Sequence, residues 1–455
     1  MECIQMGINR NLDVKMSQIQ NQSAQLDYRQ SLFNLGPDLN GSVGQFYQSG
    51  RSIDRFTNQF VQTTVGNTSL QAQLGWTVFS GGQLRNTIKQ NRLNVQSSDL
   101  DIIQTRQNIA LNISLQYLLC LQSQEQVKAA ISQVEYFNKE LKRVTLINQE
   151  GAGNKGLVLN AQAQYSNAKS NVVQAENLYK SRVLALKNML MMDPTESLEV
   201  QPFEVGIAEN DKLEYGLNEL MDSALSRRAD YQSSLLKIRS SQLGLKVAKG
   251  SLLPSLFIGG NLSSVYSDNA KTITNVTLAG TTPIGVVQGS GAIVEAPRFD
   301  YQTQTIAFGN QIRDNFGQSF GATLSVPIYN KLATNTQISK SELAITQAEL
   351  NSLRIKQSVY NDVSTAYFGF ENARAQYLGQ KENYEAQKQN LEFVQIRYQA
   401  GQSTPFELQL ALNSEVSAYQ NFLAAKYEFI LRQLILDVMM TNNIELSLGT
   451  LMGSK

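Results

Sequence analysis

The feature that most constrains the fold is a run of 67 residues, 84–150, that contains neither proline nor glycine. A second run, 332–400, carries only Gly369 and Gly379. At 1.5 Å per residue, a helix of this length spans on the order of 100 Å, whereas globular helices average roughly 10 to 14 residues. Leucine and isoleucine recur between glutamine, asparagine and serine. The two runs are therefore predicted to be long coiled-coil helices.

The two runs belong to an internal repeat. An offset of 217 aligns residues 2–37 with 219–254, and an offset of 250 aligns 74–161 with 324–411 without a gap. The difference, 250 − 217 = 33 residues, is an insertion in the second copy. We therefore predict two structural repeats, 1–210 and 211–455, that differ mainly in an inserted, exposed loop. This loop covers residues 266–316, which are rich in glycine, threonine and asparagine.

Each repeat contributes two predicted strands that lie directly beside predicted helices. The strands are expected at about 37–48, 68–80, 254–265 and 317–329, and the helices at 1–35, 84–192, 212–252 and 332–443. Apolar and polar residues alternate most clearly in the second strand of each copy. The apolar parity contains Leu74, Trp76, Leu324 and Val326. The predicted strand–helix joints contain Gly81, Gly82 and Pro327.

The apolar strand faces lack a helix nearby in sequence that would cover them, and lipid is one solution. Four strands cannot close alone, because an open sheet in lipid leaves backbone edges unpaired at several kcal/mol each. The smallest single-chain barrels have eight strands, whose bore is filled by side chains. Three chains supply twelve strands and a water-filled bore. The predicted fold is an α+β membrane protein whose trimer forms a 12-stranded β-barrel continued by an α-helical tunnel, with the apolar parity facing lipid.

Composition argues against several other classes of protein. The net charge is +1, so the basic field that nucleic acid requires is absent. The chain has no histidine, and it shows no nucleophile–base pattern. We therefore expect no enzyme activity, no cofactor, no metal site and no nucleic-acid partner. A leader peptide is not visible in "MECIQMGINRNLD", and for an exported chain we expect that it has been removed.

The chain resembles the TolC family of outer-membrane efflux and secretion channels across nearly its whole length. The residues that carry the resemblance are the start "ECIQMGINRNLD", with leucine where proline is usual, and the joints "LGWTVFSGGQLRNTI" and "LSVPIYNKLATNTQI". The helix breaks "NQEGAGNKGLVLNAQAQYSNAK" and "RYQAGQSTPFELQLALNSEV" also match. The order, the repeat and the spacing together are more specific than any single motif.

The resemblance places a periplasmic gate at the two helix breaks. The gate tyrosine of the family falls on Tyr398, and one position of its acidic ring falls on Glu407. The acidic partner of the tyrosine falls on Leu157, the gate arginine on Ser403 and a second ring position on Leu410. The ionic lock is therefore expected to be largely missing. Tyr398 also fits ordinary helix packing, and Glu407 also fits a first-turn acid that suits the helix dipole.

The resemblance also implies partners and a location. It implies a homotrimer in the outer membrane of a Gram-negative bacterium, with a periplasmic adaptor and an inner-membrane pump of the resistance-nodulation or ABC type. Adaptor contacts are expected at Asn154, Lys155, Thr404 and Pro405. The predicted function is a passive exit duct of a tripartite efflux pump. The outlet of a type I protein secretion system is an alternative, and a soluble coiled-coil scaffold is an alternative of another class.

Overall fold

The computed structural model describes residues 2–53, 60–202 and 216–441. The helices are α1 (Glu2–Arg10), α2 (Leu12–Phe33), α3 (Gln83–Gln149), α4 (Lys155–Met189), α5 (Leu217–Arg227), α6 (Ala229–Gly250), α7 (Phe308–Asp314), α8 (Ala333–Gln399) and α9 (Pro405–Thr441). The strands are β1 (Asp38–Ile53), β2 (Phe60–Ser80), β3 (Ser255–Ser267), β4 (Lys271–Val286), β5 (Ile293–Thr305) and β6 (Gly317–Ser325).

Helix lengths confirm the two structural repeats. Helices α2 and α6 have 22 residues each and begin 217 positions apart (229 − 12). Helices α3 and α8 have 67 residues each and begin 250 positions apart (333 − 83). Both offsets are those of the sequence repeat. The fixed lengths explain why the second alignment runs without a gap.

Two of the predicted helices are each broken at one residue. The helix predicted over 1–35 breaks at Asn11, whose side-chain oxygen accepts hydrogen bonds from the backbone N–H of Asp13 (2.8 Å) and Val14 (3.2 Å). An asparagine side chain competes in this way with the helical backbone pattern. The helix predicted over 212–252 breaks at the corresponding position, Arg228, which has extended dihedral angles. Residues 1, 212–215 and 442–443 of the predicted helices lie outside the described residues.

The chain forms two compact units, Met1–Tyr28 with Lys89–Gln242 and Glu342–Lys455, and Arg29–Ile88 with Leu243–Ser341. The second unit contains an antiparallel four-stranded sheet in the order β1-β2-β3-β6. Its register forms apolar and polar rows that alternate along the strands. One apolar row holds Leu39, Leu74, Gly260 and Phe320. The next, polar row holds Asn40, Gln73, Asn261 and Ser319.

The strands differ from the prediction mainly at their ends. Strand β2 begins at Phe60 and not near residue 68, and a register shift between Thr77 and Phe79 makes Val78 a bulge residue. A bulge of one residue turns the following side chains to the opposite face. Strand β6 ends at Ser325, so Val326 lies beyond the sheet. The following Pro327 lacks the N–H that a longer ladder would need.

The insertion predicted as a loop over 266–316 is largely ordered. Strands β4 and β5 form an antiparallel hairpin, and the short helix α7 follows them. Three register shifts interrupt the pairing of this hairpin. Each shift breaks the period-two alternation on which sequence-based strand prediction depends.

In the first compact unit, the described residues form three apolar clusters. One packs α1, α3, α4 and α9 around Leu186 and Ile430, and another packs α5, α8 and α9 around Val359 and Phe429. The third joins α3, α4 and α9 near the helix breaks. Cys3 and Cys120 are both free. Among the described residues, no helix has both the length and the apolarity that a membrane crossing requires.

Candidate functional site at the helix breaks

The two long helices end in the same way. At the end of α3, the N–H of Ala152 donates to the carbonyl of Ile147 (3.2 Å), and at the end of α8 the N–H of Gln402 donates to the carbonyl of Arg397 (2.8 Å). Gly151 and Gly401 adopt φ of 82° and 72°, the left-handed conformation that closes such a cap. These ends lie 250 positions apart, so the repeat extends to the geometry of the breaks.

The residues predicted as adaptor-contact tips form the next helix starts. The side-chain oxygen of Asn154 accepts from the N–H of Gly156 (2.7 Å) and caps α4. Thr404 caps α9, because its hydroxyl oxygen accepts from the N–H of Glu407 (3.2 Å). Pro405 occupies the first helical turn, where its missing donor costs nothing, and Lys155 opens α4. All of these tip residues are exposed.

Glu407 completes a capping box at the start of α9. Its carboxylate accepts the N–H of Thr404 (3.0 Å) and the hydroxyl of Ser403. These hydrogen bonds, that of Ser403 first, lower the pKa of Glu407. The structure therefore gives Glu407 the helix-start role, while its place on a pore axis stays a prediction. Ser403, the predicted position of the gate arginine, supports the same carboxylate.

Tyr398 has polar partners on α3, although the acid and the arginine of the family gate fall on the uncharged residues Leu157 and Ser403. Its hydroxyl donates to Glu140 Oε1 (3.2 Å) and accepts from Arg143 Nη2. Arg143 also binds both carboxylate oxygens of Glu140 at 2.9 Å. Both partners lie on α3, before the first break, and not at Leu157 after it. We call Glu140, Arg143 and Tyr398 the tyrosine tether.

The tyrosine tether is half-buried. The side chains of Arg143 and Glu140 are 44% and 18% exposed. The guanidinium carbon of Arg143 also lies 4.7 Å from the centre of the Tyr398 ring, which adds a cation–π contact. Burial, and then the Glu140 carboxylate, raise the pKa of Tyr398, while hydrogen bonding to Glu140 raises the pKa of Arg143. The Tyr398 phenol therefore stays protonated and the Arg143 guanidinium stays charged at neutral pH.

Apolar packing supports the tether. Phe137, Ala168, Leu408 and Leu412 are buried together, and Tyr398 packs against them. The ends of α3, α4, α8 and α9 therefore share one cluster. The leucines at two predicted gate positions are not buried, since Leu157 is 40% exposed and Leu410 is 59% exposed.

The strand–helix joints differ between the two repeats. Gly81 and Gly82 have φ of 60° and 79°. An added Cβ on Gly81 would lie 2.2 Å from the carbonyl oxygen of Gly250, so only glycine fits there. The equivalent positions of the second repeat are Lys331 and Leu332, with φ of 56° and 65°. Two consecutive non-glycine residues in the left-handed region are strained, at about 1–2 kcal/mol each.

Sequence reasoning missed Glu140 and Arg143. The available signal was an acid and a base three positions apart, which face the same side of a helix. No spacing rule connects that pair to Tyr398, which is 255 positions after Arg143. Within residues 2–53, 60–202 and 216–441, no group of three or more cysteine, aspartate and glutamate side chains is placed to hold a metal ion.

Residues 3–190 and 220–440 match the model of the outer membrane efflux protein family, and the chain belongs to this family. It is 20% identical over 449 residues to a probable outer membrane lipoprotein, SilC, of Salmonella typhimurium (98% of this chain, 84% of that protein). It is 23% identical over 283 residues to toxin and drug export protein A of Aggregatibacter actinomycetemcomitans (62% and 52%).

Among solved structures, the chain is similar to the CmeC outer membrane channel of Campylobacter jejuni. The TM-score is 0.73 at 16% identity, over 99% of this chain and 88% of that one. The fold is thus that of the efflux channels, which confirms the predicted combination of repeated strands and a long helical tunnel. The chain is an outer-membrane exit duct of efflux pumps. Members of this family are trimeric outer-membrane channels that work with adaptors and inner-membrane pumps.

Proposed function

We propose that three copies of this chain form a passive duct that is closed at the helix breaks by the tyrosine tether. The observation that carries the proposal is the bond of Tyr398 to Glu140 and Arg143, because it fastens the end of α8 to α3. Releasing it frees the α8–α9 break to move away from α3. Opening then needs no chemistry, only a partner that favours the released state.

In this trimer the apolar face of the four-stranded sheet contacts lipid. Leu74 and Leu324 lie on that face with Trp76, whose indole N–H donates to the carbonyl of Leu35 (2.8 Å). The polar row that contains Gln73 and Asn261 then lines the bore. Strands β1 and β6 are the sheet edges, and each pairs with the neighbouring chain. Closure of this kind satisfies the backbone groups that lipid would leave unpaired.

The exposed helix starts are the proposed contact site for a periplasmic adaptor. Asn154 and Thr404 are engaged as helix caps, so their backbone geometry is fixed before any partner arrives. Lys155 and Pro405 are exposed beside them. A preorganised tip lowers the entropic cost of docking. The adaptor would join this duct to an inner-membrane pump of the resistance-nodulation or ABC type.

The proposed cargo is small toxic compounds, and protein export is the alternative. The relative in Aggregatibacter is named as an exporter of both toxin and drug, and it keeps the alternative open. A passive bore does not itself choose between these cargoes, since specificity lies in the pump and the adaptor. A soluble scaffold does not fit the membership in an outer-membrane family.

Native mass spectrometry of the detergent-solubilised protein tests the assembly. We expect a species of three times 50.5 kDa. The same sample in a planar bilayer should conduct weakly, because the tether holds the breaks together. A stable monomer or dimer that still conducts would contradict the proposal.

A further inference from the structure

The hairpin β4–β5 has one apolar and one polar face. Residues paired across its strands share a face, so the register assigns the paired side chains, while Thr274, Ala279 and Ile284 lie at the register shifts. The mainly apolar face carries Ile273, Val276, Leu278, Val286, Ile293, Pro297, Phe299 and Tyr301, together with Thr281, Pro283, Thr303 and Thr305. The mainly polar face carries Thr272, Asn275, Thr277, Thr282, Arg298, Asp300, Gln302 and Gln304, together with Val294 and Ala296. A hairpin that only crossed water would not need this separation.

The apolar face is uncovered in a single chain. Leu278 is 66% exposed and Phe299 is 42% exposed, and every residue of β4 is exposed. With 13 paired positions at about 3.4 Å each and a width of about 10 Å, the face covers roughly 400 Å². The largest exposed apolar patch on a monomeric protein typically covers about 300–600 Å² and is often functional.

The base of the hairpin is held firmly. Gln311 of α7 is 3% exposed and joins the end of β3 to the end of the hairpin. Its amide accepts from the N–H of Ser267 (2.9 Å) and donates to the carbonyls of Ser267 (2.9 Å) and Ile306 (2.8 Å). Asp268 also binds the backbone of Gly66 on β2. The apolar face is therefore presented in a fixed direction from the sheet.

We propose that this face packs against the same face of the other two chains, so that three hairpins form a collar at the outer mouth of the duct. The proposal rests on the trimer proposed above. The hairpin continues from β3, a strand of the sheet that closes the barrel, so the threefold axis gathers three hairpins at one end. Tethering by the barrel gives an effective concentration in the millimolar range, and a small patch then suffices.

Charge placement also favours a second copy as the occupant. The apolar face carries charges only near its two ends, at Lys271 and Glu295, and its centre between Ile273 and Pro297 is uncharged. Three such centres meet without like-charge repulsion. Lipid is the less favourable occupant, because the outer backbone edges of an isolated hairpin would be unpaired there, at several kcal/mol per group.

Paired cysteine variants test the collar. Leu278→Cys lies on the apolar face, and Thr277→Cys, its neighbour on the polar face, is the matched control. In the intact outer membrane, Leu278→Cys should form covalent dimers with a short bis-maleimide at least about tenfold more than Thr277→Cys, since only the first is held near its copies. Wild-type protein measures the background from Cys3 and Cys120.

Two results would overturn the collar. One is equal cross-linking of the two variants, and the other is labelling of Leu278→Cys by a maleimide lipid in place of cross-linking, which would assign the face to the membrane. Native mass spectrometry of the same samples separates this inference from the proposed function. A trimer without cross-links removes the collar alone, whereas the absence of a trimer removes both.

Discussion

Replacing Tyr398 with phenylalanine removes the hydroxyl that joins α8 to the Glu140–Arg143 pair of α3. The ring remains, and with it the contact of the Arg143 guanidinium at 4.7 Å and the packing against the apolar cluster. Glu140 and Arg143 also keep their two direct bonds of 2.9 Å. The substitution therefore leaves no buried charge unpaired, and it measures the contribution of the Tyr398 hydroxyl alone.

The expected size of the effect follows from burial. A hydrogen bond to a charged group contributes about 1.5–3 kcal/mol when it is buried, and exposed ion pairs contribute about 0.2–1 kcal/mol. Arg143 is 44% exposed and Glu140 is 18% exposed, so we expect the Tyr398 hydroxyl to stabilise the closed state by about 1 kcal/mol per chain. If three chains open together, the closed state loses about 3 kcal/mol, which is roughly a hundredfold in the equilibrium.

Single-channel recording in planar bilayers measures this shift. Tyr398→Phe should raise the fraction of time in the high-conductance state by about two orders of magnitude, or to saturation, if opening is concerted. Tyr384→Phe is the matched control, because its ring stacks on Phe422 at 5.5 Å and its hydroxyl has no hydrogen bond in the part of the chain that the structure describes. The control should behave as wild type.

A double-mutant cycle with Glu140→Gln strengthens the test. The two substitutions act on one network, so their effects on opening should not add. Additive effects, or an open fraction for Tyr398→Phe within twofold of wild type, would refute the idea that the tether holds the duct closed.

Three further predictions concern the sheet, the start of α9 and the joints. Leu74→Arg places a charge on the apolar face and should lower membrane yield, at about 2–4 kcal/mol per chain near the midplane, whereas Gln73→Arg on the polar face should insert normally; equal yields would mean that the faces have been reversed. Glu407→Gln should shift the reversal potential of the channel in a salt gradient toward lower cation selectivity. The pKa of Glu407 is lowered in the folded chain, so the stability that its capping contributes should be present at neutral pH and lost as the pH falls through the pKa of the folded state. An unchanged reversal potential would limit Glu407 to its capping role. Lys331→Gly should raise the thermal dissociation temperature of the trimer, because it relieves left-handed backbone strain of about 1 kcal/mol. Gly81→Ala should lower that temperature, since the added Cβ would lie 2.2 Å from a backbone oxygen. A change in the same direction for both variants would contradict the strain argument.

Periodicity made most of the fold predictable. The run without proline and glycine became α3, and the offset of 250 placed α8 at the equivalent residues. Alternation predicted the faces of the four-stranded sheet, with Leu74 opposite Leu39 in one apolar row. These features depend on residues close together in sequence, so a single chain is enough to read them.

What the sequence did not reveal depends on contacts between distant residues or on broken periods. Glu140 on α3 and Tyr398 on α8 are in contact although they are 258 positions apart in sequence, and no local pattern connects them. The hairpin β4–β5 carries three register shifts, which hide its alternation. Lys331 and Leu332 adopt the left-handed conformation that Gly81 and Gly82 adopt at the equivalent joint. Glycine in a sequence indicates this conformation, whereas lysine and leucine do not.

A cryo-electron microscopy structure of the protein in lipid nanodiscs tests the account most directly. We expect threefold symmetry, twelve strands in the bilayer and a minimum bore radius at the level of Tyr398 and Glu407, with Tyr398 bonded to Glu140 and Arg143 of its own chain. A different symmetry, or a bore that is narrowest elsewhere and open at the helix breaks, would contradict the proposal that the tether closes this duct.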